Sequence, residues 1–317
     1  MTPPIRARRP FAGEGDLPAL IALLTACEAA DRLGAKIARA DLEEDYILDE
    51  EGWRKSVAVW EDGAGAMVAQ AGMWSPDEAD VGPLAYLLFD VHPDHRDDAF
   101  AGEVMDWIES TGSDLMGPGG KMNAHMRDDA RWKNGRLEER GFAPERWYRK
   151  MRRPLPGPLP DPRFPAGYAS RTIAEAGSVD AWVDLHNAAF VDHWEHVPLA
   201  VERRRQELAG PGYRTDLDRV AVAPDGSLAG FCWCHLVDYE SGEREHWVRL
   251  IGVHPEHRRR GVARAMLLDA LARLAAAGAA DALLTVDSAS PTGANRLYED
   301  VGFTTESTHV AYSKRVP

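Results

Sequence analysis

The chain contains an internal repeat that is carried by two short motifs. Val91-His-Pro-Asp-His-Arg96 recurs as Val253-His-Pro-Glu-His-Arg258, at an offset of 162 residues. Downstream, Asn134-Gly-Arg-Leu-Glu-Glu-Arg-Gly-Phe142 recurs with substitutions as Asn295-Arg-Leu-Tyr-Glu-Asp-Val-Gly-Phe303, at an offset of 161 residues. Two matches at nearly the same offset indicate that the chain contains two copies of one fold. The 317 residues are therefore expected to form two tandem domains of ordinary size.

A proline-rich segment between the two copies predicts the domain boundary. Pro154–Pro165 has six prolines in twelve positions, which favours an extended, semi-rigid chain. We expect an N-terminal domain over residues 1–153, a linker over 154–167 and a C-terminal domain over 168–317.

Composition excludes several classes of partner. The 37 basic and 51 acidic side chains give a net charge of −14, which argues against nucleic acid and anionic membranes. The N-terminal sequence MTPPIRARRPF has no apolar run of the signal-peptide type, and no stretch reaches the roughly 18 apolar residues of a membrane helix. Three cysteines are too few for a disulfide framework. These features predict a cytoplasmic protein.

The second half shows strand and helix patterns in alternation. The predicted helices are Ser178–Phe190, Leu199–Leu208, Arg260–Ala277 and Ala294–Val301. The predicted strands are Val220–Val222, Leu228–Leu236, His246–Val253, Ala282–Val286 and Ser307–Ser313. The first half follows the same order with weaker signals. We expect an α/β fold in which each domain has a twisted mixed sheet flanked by helices.

A basic turn precedes the long predicted helix of the second half. In Arg258-Arg-Arg-Gly-Val-Ala263, Gly261 permits close approach of a ligand to the backbone, and the small Ala263 leaves the helix start uncrowded. Free N–H groups at a helix N-terminus with three arginines beside them suit a pyrophosphate. A solvated basic turn is the alternative. The preceding strand, the long helix and the downstream Asn-x-x-Tyr segment favour the phosphate site.

These motifs resemble the GNAT superfamily of acyl-CoA N-acyltransferases. Arg258, Gly261 and Ala263 fill its Gln/Arg-x-x-Gly-x-Gly/Ala pyrophosphate loop, and residues 295–303 resemble its later Asn…Leu-Tyr-Glu-x-x-Gly-Phe segment. The resemblance implies acetyl-CoA as co-substrate and no metal. It places these residues at the cofactor: Ile251, Gly252, Val253, Arg258, Arg259, Arg260, Gly261, Val262, Ala263, Arg264 and Asn295. For Asn295, capping of its helix is the alternative role.

The first half keeps the frame of the repeat but lacks these chemical groups. Asp97-Asp-Ala99 stands where the second half has Arg259-Arg-Gly261, and Leu137 stands where it has Tyr298. Carboxylates close to phosphate oxygens cost on the order of 1 kcal/mol or more even when exposed. We expect this half to be degenerate, to bind acetyl-CoA poorly or not at all, and to act as a structural partner that shapes the acceptor cleft.

The two-domain arrangement resembles tandem GNAT proteins of the mycothiol synthase type, through Met151-Arg-Arg-Pro-Leu155 and Asn187-Ala-Ala-Phe190. The acceptor side departs from that type. His235 stands where those proteins have a lysine. Trp247 stands where they have an acidic residue, unless the alignment shifts by two and Glu245 takes that role. Mycothiol synthesis is therefore not carried over.

Acyl transfer to an amine requires an acid, a base and donors for the oxyanion. Tyr298 is the candidate acid, since a phenol has a pKa of roughly 10; a packed core aromatic is the alternative. Glu245 and His246 are candidate bases that face opposite sides of a strand, so at most one points inward. A solvated strand end is their alternative. Backbone N–H groups near Gly252 and Val253 could serve the oxyanion.

Two further groups of residues contain side chains that can bind metals or take part in redox chemistry. His193-Trp-Glu-His196 follows the first helix of the second half, but a His-x-x-His pair on a loop lacks the further ligands that metal sites need. We expect it to recognise the acceptor or to pack. Cys232 and Cys234 are expected to be buried small hydrophobes.

The sequence therefore predicts an N-acetyltransferase that transfers an acetyl group from acetyl-CoA to the amine of a small molecule by direct attack, with the C-terminal domain active. The alternatives are a non-catalytic acyl-CoA-binding or sensing protein, and a mycothiol-synthase-type acetyltransferase with an altered acceptor. The expected partner is a small-molecule amine, without nucleic acid or membrane, in a monomer or homodimer.

Overall fold

The structure is a computed structural model that describes residues 6–48, 52–77, 82–155, 157, 159–194, 196–210, 213–239 and 241–317. Several residues used in the predictions lie outside this description: Met1–Ile5, Pro156, Pro158 and Glu195. The chain divides into two compact units. Unit 1 comprises Met1–Trp147, Asp238–Glu243 and His309–Pro317, and unit 2 comprises Tyr148–Val237 and Arg244–Thr308.

Unit 1 is built on an antiparallel meander followed by one parallel crossover. Its strands are β1 (Ala7–Pro10), β2 (Trp53–Glu61), β3 (Met67–Pro76), β4 (Leu84–Val91), β5 (Lys121–Arg127) and the first residues of β6 (Ala143–Pro154). Its helices are α1 (Leu17–Asp31), α2 (Arg39–Leu42), α3 (Asp98–Met116) and α4 (Arg131–Glu139). β1 to β4 pair antiparallel in sequence order, and β4 pairs parallel with β5. Helix α3 makes the parallel crossover.

Unit 2 repeats this order of elements. Its strands are the end of β6, β7 (Ala169–Thr172), β8 (Asp218–Val222), β9 (Leu228–Asp238), β10 (Arg244–Val253), β11 (Asp281–Asp287) and the start of β12 (Thr304–Arg315). Its helices are α5 (Ile173–Ala176), α6 (Val179–Phe190), α7 (Val201–Ala209), α8 (Val262–Ala276) and α9 (Ala294–Asp300). β10 and β11 are parallel, with α8 as the crossover. The predicted mixed α/β architecture is confirmed.

Each unit completes its sheet with a strand from the other half of the sequence. In unit 1, His309–Arg315 of β12 pairs antiparallel with β5. In unit 2, Tyr148–Pro154 of β6 pairs antiparallel with β11. The compact units therefore do not follow the expected boundaries at residues 153 and 168. A boundary placed at the proline-rich segment misses this exchange, because hydrophobic periodicity identifies a strand without identifying its partner.

Two apolar layers cover the sheet of unit 2. Leu267, Leu271 and Leu274 of α8 pack with Val248 in one core, and Trp182 of α6 packs in another core on the opposite face. Alternating side chains on the central strands supply both layers. Among the described helices, none is long and apolar enough to cross a membrane.

Candidate active site

The basic turn of unit 2 has an unusual backbone. Pro255–His257 forms a single 3₁₀ turn, and α8 begins five residues later at Val262. Between them Arg259 has φ = +63° and Gly261 has φ = +87°. A left-handed non-glycine residue costs on the order of 1 kcal/mol or more and is found preferentially at functional sites. The turn is therefore a strained loop that leads directly into a helix N-terminus.

The N-terminus of α8 is open to an anion. In the described part of the chain no side chain caps it, and no atom lies within 4 Å of where a Cβ would stand on Gly261. Arg259, Arg260 and Arg264 are exposed around it, and Arg260 Nη1 donates to the Tyr168 hydroxyl at 3.1 Å. Unsatisfied amides, the positive end of the helix dipole and three guanidinium groups fit a pyrophosphate.

Arg258 has a structural role that its place in the motif did not reveal. Its Nε donates to the Val253 carbonyl at 3.3 Å, and its other nitrogens reach Asp192 at 2.7 Å and the Ala189 carbonyl at 3.1 Å. Its repeat counterpart Arg96 likewise donates through Nε to the Val91 carbonyl, and its other nitrogens pair bidentately with Asp31. This arginine fastens the strand end to the first long helix in both units, and in this geometry it is not directed at a phosphate.

The equivalent helix N-terminus in unit 1 is closed by its own carboxylate. Asp97 caps α3, since its Oδ1 accepts from the Phe100 amide at 2.9 Å. Its Oδ2 also pairs with Arg6 at 2.7 Å. These hydrogen bonds hold the pKa of the Asp97 carboxyl below its usual range, the amide bond being the larger cause. Because a negative group already occupies the amide cradle, a phosphate would have to displace it.

The end of β10 is separated from its parallel neighbour. Over the described residues the ladder between β10 and β11 consists of one pair, Trp247 with Leu283. Side-chain alternation also shifts along β10, because Val248 packs with the α8 core and Leu250 with the α6 core. Such a shift is typical of a β-bulge, which re-aims the following residues. Beyond Trp247, the described residues of β10 therefore continue without a ladder pair to β11.

Gly252 lies at this strand end. A Cβ on Gly252 would stand 2.7 Å from the Phe231 ring and 2.9 Å from Ala189. A glycine is therefore required for α6 to pack against the strand. Ile251 and Val253 are half-buried on the other side, against the α8 core. The three residues leave a backbone edge that can bind an extended ligand.

In unit 1 the corresponding strand end carries an ion pair. Asp90, the repeat counterpart of Gly252, pairs with Lys133 of α4 at 2.6 Å between Oδ1 and Nζ. The Lys133 ammonium lies 5.9 Å from the ring centre of Phe89. The Trp132 ring packs 6.1 Å from the same phenylalanine. Unit 1 thus keeps the backbone frame and places an ion pair beside this strand end.

Tyr298 lies in the core beneath α9. Its side chain is 6 % exposed, packs in the α8 core and lies 6.0 Å from the Phe303 ring. Burial, together with the nearby Cys232, raises the pKa of the Tyr298 phenol well above its usual value. The phenol therefore keeps its proton near neutral pH, which a general acid requires. Leu137 occupies the same place in unit 1.

Glu245 is a buried partner of cations at the start of β10. It is 3 % exposed and accepts a hydrogen bond from Trp247 Nε1 at 3.0 Å. Lys150 and Arg152 of β6 lie 3.8 Å and 4.0 Å from its Oε1. Six steps of about 3.3 Å lead from Glu245 to Ile251, so Glu245 lies about 20 Å along the strand from the predicted pantetheine site. Proton transfer from the predicted pantetheine site to Glu245 therefore requires a chain of waters.

His246 is half-buried beside Glu245, and Val248, two residues further along the strand, belongs to the α8 core. Because side chains alternate, Glu245 and Trp247 face the opposite side of the sheet from His246. The structure therefore places the two candidate bases on different faces.

Asn295 ties the start of α9 to the end of β11. Its Nδ2 donates to the carbonyls of Asp287 and Ser288 at 2.8 Å and 3.3 Å. Asn134 makes the same two bonds in unit 1, to Arg127 at 3.0 Å and Asp128 at 3.1 Å. A contact shared by both units belongs to the common frame. In this geometry Asn295 acts as a connector, and the helix start is not capped by its side chain among the described residues.

The face of unit 2 covered by α6 contains a cluster that sequence reasoning missed. Arg204 of α7 is 1 % exposed, pairs with the buried Asp218, and lies 3.8 Å and 4.6 Å from the rings of Trp182 and Trp233. The sequence showed Arg204 only as part of a charged helix. Its burial depends on a carboxylate from β8, which is a tertiary contact without a local signal.

Asn187 fastens the segment after α6. Asn187 Oδ1 accepts from the Leu199 amide at 2.9 Å, and its Nδ2 donates to the Leu199 carbonyl at 3.2 Å. His193 contacts the Trp194 carbonyl at 2.9 Å. Among the described residues no group of three or more His, Cys, Asp or Glu side chains is arranged to hold a metal. Cys232 and Cys234 are buried free thiols.

This geometry defines a class of protein: an α/β fold in which an uncapped helix N-terminus flanked by arginines follows the end of a parallel strand. Residues 179–303 match the model of the acetyltransferase (GNAT) family. Mycothiol acetyltransferase of Thermobispora bispora is 33 % identical over 232 residues, which cover 71 % of this chain and 74 % of that protein.

Two solved structures have similar folds over nearly the whole chain. A GCN5-related N-acetyltransferase from Sphaerobacter thermophilus superimposes with a TM-score of 0.75 at 24 % identity, covering 98 % of this chain and 96 % of that one. A tandem GNAT protein from the clavulanic acid biosynthesis pathway gives a TM-score of 0.75 at 16 % identity, covering 99 % of both chains.

The chain belongs to the GNAT family of acetyltransferases and has its tandem architecture. It is an acetyl-CoA-dependent acyltransferase, as the sequence predicted.

Proposed function

We propose that the protein transfers an acetyl group from acetyl-CoA to the amine of a small molecule, and that unit 2 holds the only active site. One contrast carries the proposal. The N-terminus of α8 is open and surrounded by arginines, whereas the N-terminus of α3 is capped by Asp97. The Lys133–Asp90 ion pair supports the same assignment, because it places two charged side chains at the strand end where unit 2 has Gly252.

Each part of the proposed site has one task. The amides at the start of α8, with Arg259, Arg260 and Arg264, hold the pyrophosphate. The backbone of Ile251–Val253 orients the pantetheine arm, and its N–H groups stabilise charge on the carbonyl oxygen. Tyr298 donates a proton to the leaving sulfur. Acetyl-CoA itself supplies the activated thioester.

The base of the reaction acts through water in this proposal. Glu245 is fixed by Trp247, Lys150 and Arg152, so its first role is to position those side chains. A neutral amine can enter directly from solution, and a water chain that ends at Glu245 can take the proton released after attack.

The acceptor is proposed to be a small-molecule amine. The relative from Thermobispora bispora is named mycothiol acetyltransferase, and an acceptor of that type is one option for this chain. His235 and Trp247 lie on the strands beside the groove, and they depart from the residues expected for that type. We therefore favour a related enzyme with an altered acceptor. A cytoplasmic location stays a prediction.

Calorimetric titration with acetyl-CoA tests the assignment. We expect one site per chain in the wild type and no measurable binding by Gly261→Glu, because a carboxylate would enter the anion cradle and a side chain would strain the left-handed backbone. Gly278→Glu is the matched control. Gly278 follows α8, has φ = +88° and, like Gly261, has no atom within 4 Å of its Cβ position among the described residues.

Three outcomes would contradict the proposal. Two equivalent sites per chain would show that Asp97 and Lys133 do not close unit 1. Equal loss of binding in Gly261→Glu and Gly278→Glu would show that the substitution acts through the fold of α8. Binding by the wild type without release of thiol in the presence of any amine would favour the non-catalytic, sensing alternative.

A further inference from the structure

A chain of hydrogen bonds leads from the turn between β8 and β9 to the basic turn before α8. It begins at Asp225, whose Oδ1 accepts from the Ser227 amide at 3.0 Å and from the Ser227 hydroxyl at 2.7 Å. The Ser227 oxygen lies 3.5 Å from Nε2 of His257. On the other side of that ring, Nδ1 lies 2.9 Å from the Tyr168 hydroxyl, which also accepts from Arg260 Nη1 at 3.1 Å. These contacts connect Asp225 to Arg260 within unit 2.

The carboxylate at the start of this chain sets the direction of the bonds that follow. An ionised carboxylate only accepts hydrogen bonds, and the bonds from the hydroxyl and the amide of Ser227 hold the pKa of the Asp225 carboxyl below its usual range. The Ser227 proton is used on Asp225, so its oxygen is left to accept from Nε2–H of His257. In that tautomer Nδ1 has no proton and accepts from the Tyr168 hydroxyl. The phenolic oxygen therefore presents its lone pairs to Arg260.

Packing also holds the Tyr168 side chain in place. It is half-buried against the α8 core, and its ring meets the His257 ring edge to face, with 5.8 Å between the ring centres. The backbone of Tyr168 is fixed as well, because its amide donates to the Pro165 carbonyl at 3.0 Å. The phenolic oxygen therefore offers Arg260 an acceptor whose position is fixed.

Arg260 keeps its charge in this arrangement. It is exposed and immediately precedes Gly261, the N-cap of α8. Its partner Tyr168 is a neutral phenol, and no carboxylate of the described chain pairs with Arg260. Arg258, by contrast, pairs with Asp192. A guanidinium has five N–H donors, and one bond to Tyr168 leaves the others for the oxygens of a phosphate.

Unit 1 has the same contact with a different distribution of charge. Arg6 precedes β1 as Tyr168 precedes β7, and His95 corresponds to His257, both at the repeat offset of 162 residues. Arg6 Nη2 lies 3.4 Å from His95 Nδ1 and donates to Asp97 at 2.7 Å. In each unit the residue before the first strand thus contacts the histidine of the 3₁₀ turn and a charged residue of the following loop. This residue is a cation where the loop carries an acid, and a neutral phenol where the loop carries arginines.

We propose that Tyr168 is a positioning residue, which holds the Arg260 guanidinium at the start of α8 for a phosphate group of CoA. An arginine that is already held loses less side-chain freedom when the anion binds, so affinity increases without a further contact to the ligand. A neutral partner does this without competing with the phosphate for the charge of Arg260. The inference rests on the proposed function, because Arg260 acts at the same cofactor site.

A double-mutant cycle measures whether Tyr168 acts through Arg260. Calorimetric titration gives the affinity for acetyl-CoA of full-length Tyr168→Phe, Arg260→Gln and the double variant. Tyr168→Phe keeps the packed ring and removes the hydroxyl, and it should weaken binding about fivefold, the equivalent of one hydrogen bond. Arg260→Gln should weaken binding by about tenfold or more, because a charged donor is lost. The double variant should bind as well as Arg260→Gln alone, since the hydroxyl then has no arginine to hold.

Tyr312→Phe is the matched control, because the Tyr312 hydroxyl donates to Glu138 at 2.9 Å in unit 1. It should leave the affinity for acetyl-CoA unchanged, and thermal unfolding of each variant reports any loss of stability. A purely structural role of Tyr168 would make the two losses multiply in the double variant.

That multiplication, an unchanged affinity in Tyr168→Phe, or an equal weakening in Tyr312→Phe would each overturn the inference. Failure of the proposed function is a different result, because the wild type itself would then not bind acetyl-CoA. Binding by the wild type together with any of the three results above would contradict the role of Tyr168 alone.

Discussion

Burial determines the protonation state of the Tyr298 phenol. The side chain is 6 % exposed, and its pKa lies well above the ordinary value of a tyrosine. A raised pKa in an acid means that the neutral, proton-bearing form persists to higher pH. Titration of this group therefore cannot reduce the rate below about pH 10, which is the ordinary pKa of a phenol. A phenol that stays protonated throughout this pH range can donate its proton to a leaving thiolate.

Replacing Tyr298 by Phe removes the proton donor and keeps the packing. We expect kcat to fall by about 100-fold, the lower range for loss of a general acid, while the calorimetric affinity for acetyl-CoA changes less than about twofold. Steady-state thiol release over pH 6–10 measures the first quantity. An unchanged kcat would assign Tyr298 to packing alone, like Leu137 at the matching place in unit 1.

At the scale of the element, contacts that are present in both units distinguish residues that serve the fold from residues that serve the reaction. Asn134 and Asn295 make the same pair of bonds to the preceding strand end, and Arg96 and Arg258 make similar bonds to theirs. Unit 1 retains these contacts although its helix N-terminus is capped by Asp97. We therefore expect the asparagine and the arginine to serve the fold in both units.

Alanine substitution of these two asparagines should test this assignment. Asn295→Ala and Asn134→Ala each remove two hydrogen bonds, and each should lower the free energy of unfolding by about 1–3 kcal/mol. Acetyl-CoA affinity should be unchanged in both variants. Denaturant unfolding and calorimetry measure the two effects. If Asn295→Ala weakens acetyl-CoA binding more than tenfold and Asn134→Ala does not, Asn295 contacts the cofactor after all.

The elements themselves were largely predictable from the sequence. Helix α6 was predicted over Ser178–Phe190 and observed over Val179–Phe190, since Ser178 is its N-cap and accepts from the Ala181 amide. The start of α8 was predicted at Arg260 and lies at Val262, because Gly261 and Arg259 are left-handed. Local patterns carry such signals: caps, glycines and apolar spacing.

Tertiary partners could not be predicted in the same way. The burial of Arg204 against Asp218, and the Lys133–Asp90 pair, join residues far apart in sequence. The ion pairs of Glu245 with Lys150 and Arg152 depend on which strand completes the sheet. Spacing along one strand indicated only that Glu245 and His246 face opposite sides.

At the scale of the whole molecule, the two units share one backbone fold but differ in the side chains at two corresponding positions. Unit 2 keeps an open helix N-terminus and a glycine at the strand end. Unit 1 has a carboxylate cap at the first position and the Lys133–Asp90 pair at the second. Side chains of the chain itself thus occupy, in unit 1, the positions that carry Arg259 and Gly252 in unit 2. The exchanged strands make each unit depend on residues from the other half of the sequence.

This exchange predicts which fragment of the chain folds as unit 2. A fragment of residues 148–308 contains the strand Tyr148–Pro154 that pairs with β11, and it should fold and bind acetyl-CoA. A fragment of residues 168–317, the sequence-predicted domain, lacks that strand and leaves the edge of β11 open. Exposed edges promote aggregation, and the lost strand also carries the core residue Met151.

Circular dichroism, size-exclusion chromatography and acetyl-CoA calorimetry on both fragments measure the difference. We expect a cooperative unfolding transition and one binding site for residues 148–308, and aggregation or no transition for residues 168–317. The two fragments have similar lengths, so size alone does not distinguish them. Equal folding and binding by both would mean that Tyr148–Pro154 is dispensable, and that His309–Arg315 can take its place beside β11.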